Sequence, residues 1–467
     1  MNKSVLGRIT SLIMSIGVSV GLCACGGQGP AVTSAGMQKV GSYNVEEEVR
    51  YTDESEKEEV QQRFVSADGL CEICVYPTYY DVTLDYEKGE PEAVGAAYAQ
   101  TLRQAVPEFE AKFEPYLYEN IRRQFHGRVL NYDAVEKRIT TLIDGIPEEY
   151  EREVKSFART FSEGREGYVQ DGKLSYEEVL TSQIIPDALR PTACSALSLG
   201  GSRTASGERL SLRNLEWSIG SEKQITDIHA VVHMKKGERS ITGIGMLGLL
   251  DIITAVNDDG VMIGILDVGS ITGEPFVYEN KKCYTFEIRY ALEQFMTAQE
   301  AGEYLVAESG DFTWCHNLLC TDAKDAFCCE NATAEAAATG KAHSVLRTVD
   351  SELMEGLTWD TPDSLCIVNS FTTKGNQDGF TTWQTNQNRF AKYNMWVSEK
   401  ERFSLADLKG IMAHEVVDQH EVYNVHNSGT IHTVIVDYAT GKIHVAFTKG
   451  ECADDIPRYL EVGCFGL

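Results

Sequence analysis

The first half of the chain shows the apolar spacing of amphipathic helices. Between residues 90 and 190, apolar side chains recur every three or four positions among charged ones, which is the period of a helix with one buried face. The predicted helices span residues 91–102, 132–143, 148–161 and 177–185. Pro186 and Pro191 are expected to end the last of them, because proline cannot donate the hydrogen bond that a helix interior needs.

The pattern changes at Cys194, where short apolar runs separated by turns replace the helical spacing. Strands are predicted at residues 195–199, 210–215, 228–233, 240–246, 261–268, 318–320 and 365–368, with a final hairpin of 433–437 and 442–447. Helices are predicted at residues 284–295, 298–307 and 405–416. Strands followed by helices and again by strands indicate an α+β fold in which sheets and helices form layers.

The N-terminal residues have the features of an export signal. A short positively charged start precedes an apolar stretch of residues 9–22, which is too short to cross a bilayer comfortably. The following Leu22-Cys23-Ala24-Cys25-Gly26 is similar to a bacterial lipobox, which predicts a signal peptide of residues 1–24 and a lipid on Cys25. A plain signal peptide with a chance cysteine is the alternative. The lipobox interpretation places the protein on the extracellular face of a bacterial membrane as a lipoprotein.

The segment after the lipobox is expected to be a flexible acidic tether, residues 25–70. It is rich in glycine, serine and acidic residues and has little apolar content, so it cannot bury enough surface to fold. The folded body is therefore predicted to begin near Cys71.

The charge balance excludes one class of partner. The 467 residues carry a formal net charge of −28, from 70 acidic against 42 basic side chains. Because no local cluster of Lys and Arg offsets this charge, the chain would repel a phosphate backbone, and nucleic acid is not expected as a partner. The same charge argues against electrostatic binding to anionic lipid, so the membrane is expected as a partner only through the lipid anchor.

The chain has thirteen cysteines, and export would place most of them where disulfides persist. Cys23 leaves with the signal peptide and Cys25 carries the lipid. The candidate bridges are Cys71 with Cys74, Cys328 with Cys329, and Cys452 with Cys464. The spacing leaves the connectivity open.

A group of histidines near residue 414 looks like a metal site but lacks the right spacing. In the zinc motif His-Glu-x-x-His, the two histidines share a helix face. Here the second histidine, His420, follows His414 and Glu415 at position i+6, off that face. Helix-end and strand histidines, with His426 and His432 further on, are the simpler interpretation, and no metal or other cofactor is predicted.

Cys194 begins the first predicted strand of the second half and is the candidate for chemistry. Nineteen residues later, at the end of the facing strand, lies Arg213, followed by Glu216. A hairpin of that length would return a cation and a carboxylate beside Cys194. A cation lowers the pKa of a thiol and can stabilise a developing oxyanion. Taken alone, half a disulfide and a solvated ion pair are the simpler interpretations of these residues.

The motifs around Cys194 resemble a known superfamily. Cys194-Ser195-Ala196-Leu197 followed by Arg213-Asn214-Leu215-Glu216-Trp217 is similar to the start of the mature chain in choloylglycine hydrolases, acid ceramidases, N-acylethanolamine acid amidases and acyl-CoA:6-aminopenicillanic acid acyltransferases. The likeness continues through Asn257-Asp258-Asp259-Gly260, Asn369-Ser370-Phe371 and Asn388-Arg389-Phe390. Upstream, residues 151–158 and 174–180 look like the pro-region of acid ceramidase. These proteins are cysteine N-terminal-nucleophile hydrolases.

The resemblance implies a four-layer αββα sandwich with the nucleophile at the start of an inner strand. It implies self-cleavage between Ala193 and Cys194, which would leave two subunits: one ending in a mostly helical pro-region of residues 71–193, and a catalytic αββα domain of residues 194–467. The released α-amine, with a pKa of about 7.7 to 8.0, could act as the general base for its own thiol. The implied substrate is a small molecule with a linear, non-peptide amide, such as an N-acyl amide or a conjugated acyl compound, cleaved through a thioester on Cys194.

The resemblance also implies a role for each matching residue. Arg213 would stabilise charge near the thiolate, Glu216 would orient the α-amine, and Asn369 would donate its amide to the oxyanion. Arg389 would complete the charge network. Asn257 marks a turn of the family and has either a structural or an oxyanion role.

The sequence departs from the family pattern at three positions. Glu216 stands where the family usually has Asp and is one methylene longer, and Ser195 stands where Thr is common. Asp267 falls where bile-salt hydrolases have an oxyanion-hole Asn, and an ionised carboxylate would repel an oxyanion. Either Asp267 is protonated, or the oxyanion hole is built otherwise, or the substrate is different.

Two other functions fit the same fold. An acyltransferase would differ only in the nucleophile that resolves the thioester, although the scarcity of acyl-CoA outside the cell favours water. A catalytically inactive, lipid-anchored binding protein is the other alternative, because a fold does not guarantee an activity. The joint presence of Cys194, Arg213, Asn369 and Arg389 favours the enzyme.

The lipid anchor can be tested by substitution. Cys25→Ser should release the protein from membranes, because the thiol that would carry the lipid is gone. Cell fractionation measures the effect, and Cys23→Ser, which alters a cysteine expected to leave with the signal peptide, is the matched control. Membrane retention of the Cys25→Ser protein would count against lipidation.

Overall fold

The computed structural model describes residues 51–125, 131–190, 193–269, 271, 273–376, 384–416, 425–427, 429–449 and 456–466. The signal peptide, Cys25, the first part of the predicted tether and Cys452 lie outside these residues. In the described part of the chain, no helix is long and apolar enough to span a membrane.

The described residues form the following elements. The strands are β1 (Gln62–Val65), β2 (Cys71–Val75), β3 (Tyr80–Asp85), β4 (Ala193–Leu199), β5 (Leu210–Glu216), β6 (His229–Lys235), β7 (Ile241–Met246), β8 (Thr254–Asn257), β9 (Met262–Asp267), β10 (His316–Thr321), β11 (Ala326–Asn331), β12 (Val345–Arg347), β13 (Ser364–Ile367), β14 (Thr430–Asp437), β15 (Lys442–Phe447) and β16 (Tyr459–Cys464). The helices are α1 (Pro91–Ala105), α2 (Phe109–Gln124), α3 (Tyr132–Ile143), α4 (Glu148–Ser162), α5 (Tyr176–Ser182), α6 (Ile185–Leu189), α7 (Tyr284–Gln294), α8 (Ala298–Glu308), α9 (Ala334–Ala338), α10 (Gln384–Glu399) and α11 (Leu405–Val416).

The strands form two sheets. The larger has the order β1-β2-β3-β6-β7-β8-β9-β10-β11-β12, and the smaller has the order β13-β4-β5-β14-β15-β16. Neighbouring strands are antiparallel except for β3 and β6, which are parallel. The nucleophile candidate Cys194 therefore lies on an inner strand of the smaller sheet, between β13 and β5.

Strand alternation assigns the two faces of the smaller sheet to different layers. Leu197, Leu199, Leu210 and Leu212 point to one face and pack with α10 and α11. Cys194 and its neighbours on the other face belong to the core between the two sheets. Helices including α1, α7 and α8 cover the outer face of the larger sheet. The predicted four-layer αββα sandwich is thus confirmed.

The folded body begins earlier than predicted, and its first part is not only helical. β1 lies within the expected tether and pairs with β2, and Glu56 hydrogen-bonds through its backbone to Tyr459. β3 pairs with β6 of the catalytic part, so the strands of the pro-region extend the larger sheet. The alternating buried residues Ile73, Val82 and Leu84 are the apolar pattern that supports these strands.

The helix predicted at residues 177–185 is two helices, because Pro186 begins a helix instead of ending one. α5 starts with a capping box, in which the Ser175 hydroxyl accepts the backbone N–H of Glu178 while the Glu178 carboxylate accepts the N–H of Ser175. Pro186 lies in the first turn of α6, where the missing N–H has no helical partner to lose.

The disulfides predicted within the described residues are absent, since all ten cysteines described there are free thiols. Cys71 and Cys74 are three positions apart on β2, and Cys328 and Cys329 are adjacent on β11. Residues an odd number of positions apart on a strand point to opposite faces, so neither pair can bring its sulfur atoms together. Cys464 is exposed, and its predicted partner lies outside the described residues.

Ion pairs, of which the Arg289–Glu153 pair is buried, join the residues before Cys194 to those after it. Arg289 of α7 contacts Glu153 of α4 at 2.8 Å, and all three side chains of the group formed with Glu293 are almost fully buried. Lys236 contacts Glu149 of α4 at 3.0 Å and Glu293 at 2.5 Å. Removing the residues on one side of Cys194 would leave an unpaired buried charge on the other side, which would lower the stability by several kcal/mol.

The shared sheet and these ion pairs predict that the two parts stay together after a cut. We expect protein cleaved between Ala193 and Cys194 to elute from a size-exclusion column as one species of the uncut mass, and to separate into two chains only on a denaturing gel. An uncut Cys194→Ala protein is the reference. Elution of two smaller species under native conditions would contradict the prediction.

Candidate active site

The side chain of Cys194 lies fully buried between the two sheets, at the start of β4. In the β4–β5 register Cys194 is opposite Leu215 and Ala196 is opposite Arg213, so the thiol and the guanidinium share a face of the sheet. Arg213 donates from Nη2 to the sulfur at 3.3 Å. The structure thus shows the predicted contact between the Arg213 guanidinium and the Cys194 thiol.

The backbone of Cys194 is held by two side chains. β13 pairs with β4 up to Ile367 opposite Ala196, and the next equivalent pair in this register would be Asn369 opposite Cys194. At this position the side chain of Asn369 replaces the backbone partner, and its Oδ1 accepts the N–H of Cys194 at 2.6 Å. Arg389 donates from Nη1 to the carbonyl oxygen of Cys194 at 2.8 Å.

Arg389, on α10, connects the remaining polar groups. It contacts both carboxylate oxygens of Glu216 at 3.2 Å, Oδ1 of Asn369 at 2.7 Å and Oδ1 of Asn386 at 2.6 Å. Asn386 in turn donates to the backbone oxygen of Asn369 at 2.9 Å and to the Ser370 hydroxyl at 2.7 Å. Asn386 was not predicted as a site residue. Its position, three residues before Arg389 on the same helix, is the local signal that would have placed it beside Arg389.

The amide orientation of Asn369 follows from its neighbours. Its Oδ1 receives donors from both Cys194 and Arg389, so this atom must be the oxygen. Its Nδ2 donates to the backbone oxygen of Asp267 at 2.6 Å. In the uncut chain Asn369 therefore holds the nitrogen of Cys194, and the amide group that was expected to serve an oxyanion is engaged.

Glu216 lies on the opposite face of β5 from Arg213, because the two residues are three positions apart on one strand. Its carboxylate pairs with Arg389 and accepts from Asn214 at 3.2 Å. The hairpin brings this carboxylate near Cys194, but on the face of the sheet away from the sulfur, where Arg389 links it to the carbonyl oxygen of Cys194. Its predicted role, orienting the nitrogen of Cys194, falls in this structure to Asn369, while Glu216 acts on the site through Arg389.

The charges around the thiol act in opposite directions. Burial raises the pKa of Cys194, while the Arg213 guanidinium and the backbone N–H of Glu216 favour the thiolate and reduce that rise. Burial also lowers the pKa of Arg213, and its Nε and Nη1 have no hydrogen-bond partner among the described residues. In the uncut chain the sulfur is thus a protonated thiol, which needs a base to become a nucleophile.

Gly264 of β9 makes room for Arg213. Arg213 crosses to the larger sheet and donates to the backbone oxygen of Ile265 at 2.5 Å. A Cβ added to Gly264 would lie 2.9 Å from Cγ of Arg213, which is closer than carbon atoms approach without a shift. Gly264 was not predicted as a site residue. A glycine inside a strand indicates that another group comes close, but not which group.

Asp267, at the end of β9, is paired with a cation of the pro-region. Its two carboxylate oxygens lie 3.0 and 3.2 Å from Nε of Arg190, a residue that the sequence analysis did not single out. Burial raises the pKa of Asp267 to about 6, and the Arg190 guanidinium opposes that rise. Of the three explanations for an acidic residue here, an oxyanion hole built from other groups or a different substrate agrees better with this ion pair than a protonated acid does.

The other predicted positions lie outside this network. Asn257 donates to the backbone oxygens of Leu292 and Phe295 at 3.0 Å and accepts from Val261, so it fixes a turn. Ser195 points away from the thiol and hydrogen-bonds to Tyr393 at 3.0 Å.

Metal ligation finds no support in the described residues, among which no group of three His, Cys, Asp or Glu side chains could hold an ion. The side chains of His414 and Glu415 and all of His420 lie outside the described part. His432 is buried on β14, next to Phe447.

Taken together, the site holds one sulfur with one cation beside it and fixes the backbone on both sides of the sulfur-bearing residue. A nucleophile whose nitrogen and carbonyl oxygen are both held cannot rotate away from its target, which is the condition for intramolecular attack. The αββα fold, with this arrangement near the start of β4, is the architecture that the motifs around Cys194 implied.

Comparison with solved structures finds proteins that are distantly similar to this chain. An N-acylethanolamine-hydrolyzing acid amidase ortholog of Caenorhabditis elegans is similar at 11% identity over 58% of this chain and 100% of its own, with a TM-score of 0.37. A conjugated bile acid hydrolase of Clostridium perfringens is similar at 11% identity over 58% of this chain and 97% of its own, with a TM-score of 0.33. A penicillin V acylase of Agrobacterium tumefaciens is similar at 11% identity over 55% of this chain and 84% of its own, also with a TM-score of 0.33. No family model and no curated protein sequence matches the chain. The two stacked sheets themselves show the αββα fold that the motifs implied.

The space that Gly264 provides for Arg213 can be tested. Gly264→Ala should displace Arg213 from the sulfur and lower any activity of Cys194 by about tenfold or more, because misplacing a reacting group by about 1 Å has effects of that size. Self-cleavage and amide hydrolysis are the measured rates. Gly245→Ala, which adds the same methyl group to β7 where nothing lies within 4 Å, is the matched control. Equal rates for the two variants would show that Arg213 has no part in the reaction.

Proposed function

We propose that this protein is a self-processed cysteine amidohydrolase that cleaves a linear, non-peptide amide through a thioester on Cys194. The observation that carries the proposal is the set of contacts at Cys194: Arg213 at its sulfur, Asn369 at its nitrogen and Arg389 at its carbonyl oxygen. A structural cysteine has no need of three polar side chains that converge on its sulfur and on its backbone.

The first reaction is the cut between Ala193 and Cys194. The sulfur attacks the carbonyl carbon of Ala193, the thiol proton passes to the nitrogen of Cys194, and the C–N bond breaks to leave a thioester and a free amine. Water then hydrolyses the thioester, which leaves a carboxylate on Ala193 and returns the thiol. Asn369 already accepts a hydrogen bond from this nitrogen at 2.6 Å and would orient the new amine.

The second reaction uses the amine as a base. The amine removes the proton of the thiol, and the sulfur attacks the amide carbonyl of the substrate to form a thioester as the substrate amine leaves with a proton. Water, deprotonated by the same amine, releases the acid. Arg213, at 3.3 Å from the sulfur, stabilises the thiolate, and Arg389 keeps Asn369 and Glu216 in place.

The class of substrate is an N-acyl amide or a conjugated acyl compound, and the protein acts at the outer face of a bacterial membrane as a lipid-anchored enzyme. Both parts rest on the sequence: the first on the resemblance of residues 151–158 and 174–180 to the acid ceramidase pro-region, the second on the lipobox-like residues 22–26. An acyltransferase of the same fold would share every step except the last, in which another nucleophile replaces water.

The nucleophile is tested by removing its sulfur. We expect Cys194→Ala to give one uncut chain without amidase activity, because neither thioester can form. Intact mass and N-terminal sequencing of the purified protein measure the cut, and the native protein should yield a chain that starts Cys194-Ser195-Ala196.

The matched control is Cys366→Ala, which removes another buried thiol from the neighbouring strand β13. This variant should be cut and active like the native protein. A cut and active Cys194→Ala protein would refute the proposal, and a native chain that remains uncut for days at neutral and mildly acidic pH would favour a binding protein.

A further inference from the structure

Arg190 lies three residues before Ala193, whose bond to Cys194 would be cut, and its side chain contacts residues that follow Cys194 in the chain. Its Nε contacts both carboxylate oxygens of Asp267, and its Nη2 donates to the backbone oxygen of Val268. The guanidinium carbon lies 4.6 Å from the ring centroid of Trp314. A carboxylate, a carbonyl oxygen and an aromatic face around one guanidinium make a complete recognition site for an organic cation.

This cation site adjoins the nucleophile. The backbone oxygen of Asp267 accepts from Asn369 at 2.6 Å, and Asn369 accepts from the nitrogen of Cys194 at 2.6 Å. Two hydrogen bonds therefore separate the residue that binds the cation from the residue that would form the thioester. A substrate whose amide carbonyl reached Cys194 would extend into the same neighbourhood.

The covalent link to Cys194 contributes to keeping Arg190 in place. The residues before it are anchored separately, since the backbone oxygen of Asp187 accepts from Trp314 at 2.8 Å and its carboxylate accepts from Thr285 at 2.6 Å. Arg190 itself has a φ of 42°, in the left-handed region that non-glycine residues adopt only when their surroundings enforce it. A cut after Ala193 turns residues 190–193 into a chain end, and chain ends lose order readily.

Departure of Arg190 would leave Asp267 without its cation. Among the described residues, Arg190 is the ion-pair partner of this carboxylate, whose side chain is only 14% exposed. A carboxylate buried to this degree is costly without a counter-charge, so the emptied site would attract another cation.

We propose that Asp267, Trp314 and the backbone oxygen of Val268 form a substrate subsite for a guanidinium or ammonium group, which Arg190 fills in the uncut chain and vacates after the cut. The preferred substrates are then amides that carry a positive charge. The substrate role rests on the proposed self-cleavage, whereas the cation site itself does not.

The cation site is tested first in a chain that cannot be cut. In the Cys194→Ala background, Arg190→Ala removes the native guanidinium, and methylguanidinium should raise the melting temperature of this protein by about 2 to 4 °C when it is present well above its dissociation constant. The Cys194→Ala protein with Arg190 in place should show no such shift, because its site is full. Adding Asp267→Asn should abolish the shift, while Glu274→Gln, which removes a nearby carboxylate that bonds Ile271 and Thr333, should keep most of it. Absence of a shift in the Arg190→Ala protein would overturn the proposal.

The substrate role is tested in the cut native enzyme with two fluorogenic amides of equal shape, one of 4-guanidinobutanoic acid and one of 4-ureidobutanoic acid. We expect kcat/KM to be at least about tenfold higher for the cationic amide, and methylguanidinium to stabilise the cut native protein as it does the Arg190→Ala protein. Equal kcat/KM values, or a cut native protein that methylguanidinium does not stabilise, would show that Arg190 remains in place and would overturn the proposal. A native chain that never cuts itself would instead contradict the proposed function, and the Arg190→Ala measurement would still judge the cation site.

Discussion

The hydrogen bonds that fix the backbone of Cys194 are the constraint on which the rest of the site depends. β13 ends before it can pair with Cys194, so the N–H and the carbonyl oxygen at this position would lack partners inside the protein. Unpaired buried backbone groups cost about 1–3 kcal/mol each, and here Asn369 and Arg389 satisfy them. Because side chains replace the strand partner here, Cys194 has no backbone ladder bond on the β13 side of β4. A residue held in this way can give up its bond to the preceding residue without disturbing the sheet.

The electrostatics follow from that arrangement. Arg389 must be buried to reach Cys194, and a buried cation needs a carboxylate, which Glu216 supplies from the outer face of β5. Arg213 is buried on the inner face, where the thiol and the backbone oxygen of Ile265 are its hydrogen-bond partners. The two arginines thus serve different purposes. One holds the backbone of the nucleophile, and the other lies against its sulfur, with the sheet between them.

How much of this could be read from the sequence depended on whether the signal was local. Apolar period and proline position located α3, α4 and β4 to within a few residues, because burial of one face acts along a single element. The motif residues Arg213, Asn369 and Arg389 could be carried over as a set, and the structure brings them together. The side of the strand on which Glu216 lies also follows from local spacing, since Glu216 is three positions from Arg213 on β5. Gly264 and Arg190 could not be found, since their importance comes from contacts with residues 51 and 77 positions away along the chain.

In the uncut chain the candidate nucleophile is inaccessible, and its inaccessibility has a physical cause. The thiol of Cys194 is fully buried, and Arg190 occupies the surface of Asp267 and Trp314 beside it. Because burial keeps the sulfur protonated and the nitrogen of Cys194 is still an amide, the intact chain lacks both a nucleophile for outside substrates and a base to make one. The proposed cut would change both at once: it would convert the amide nitrogen into an amine that Asn369 already contacts, and it would free the end of the segment that carries Arg190. Cleavage of one bond would thus control both the chemistry at Cys194 and the access of substrates to it. The uncut chain would have no activity towards outside substrates.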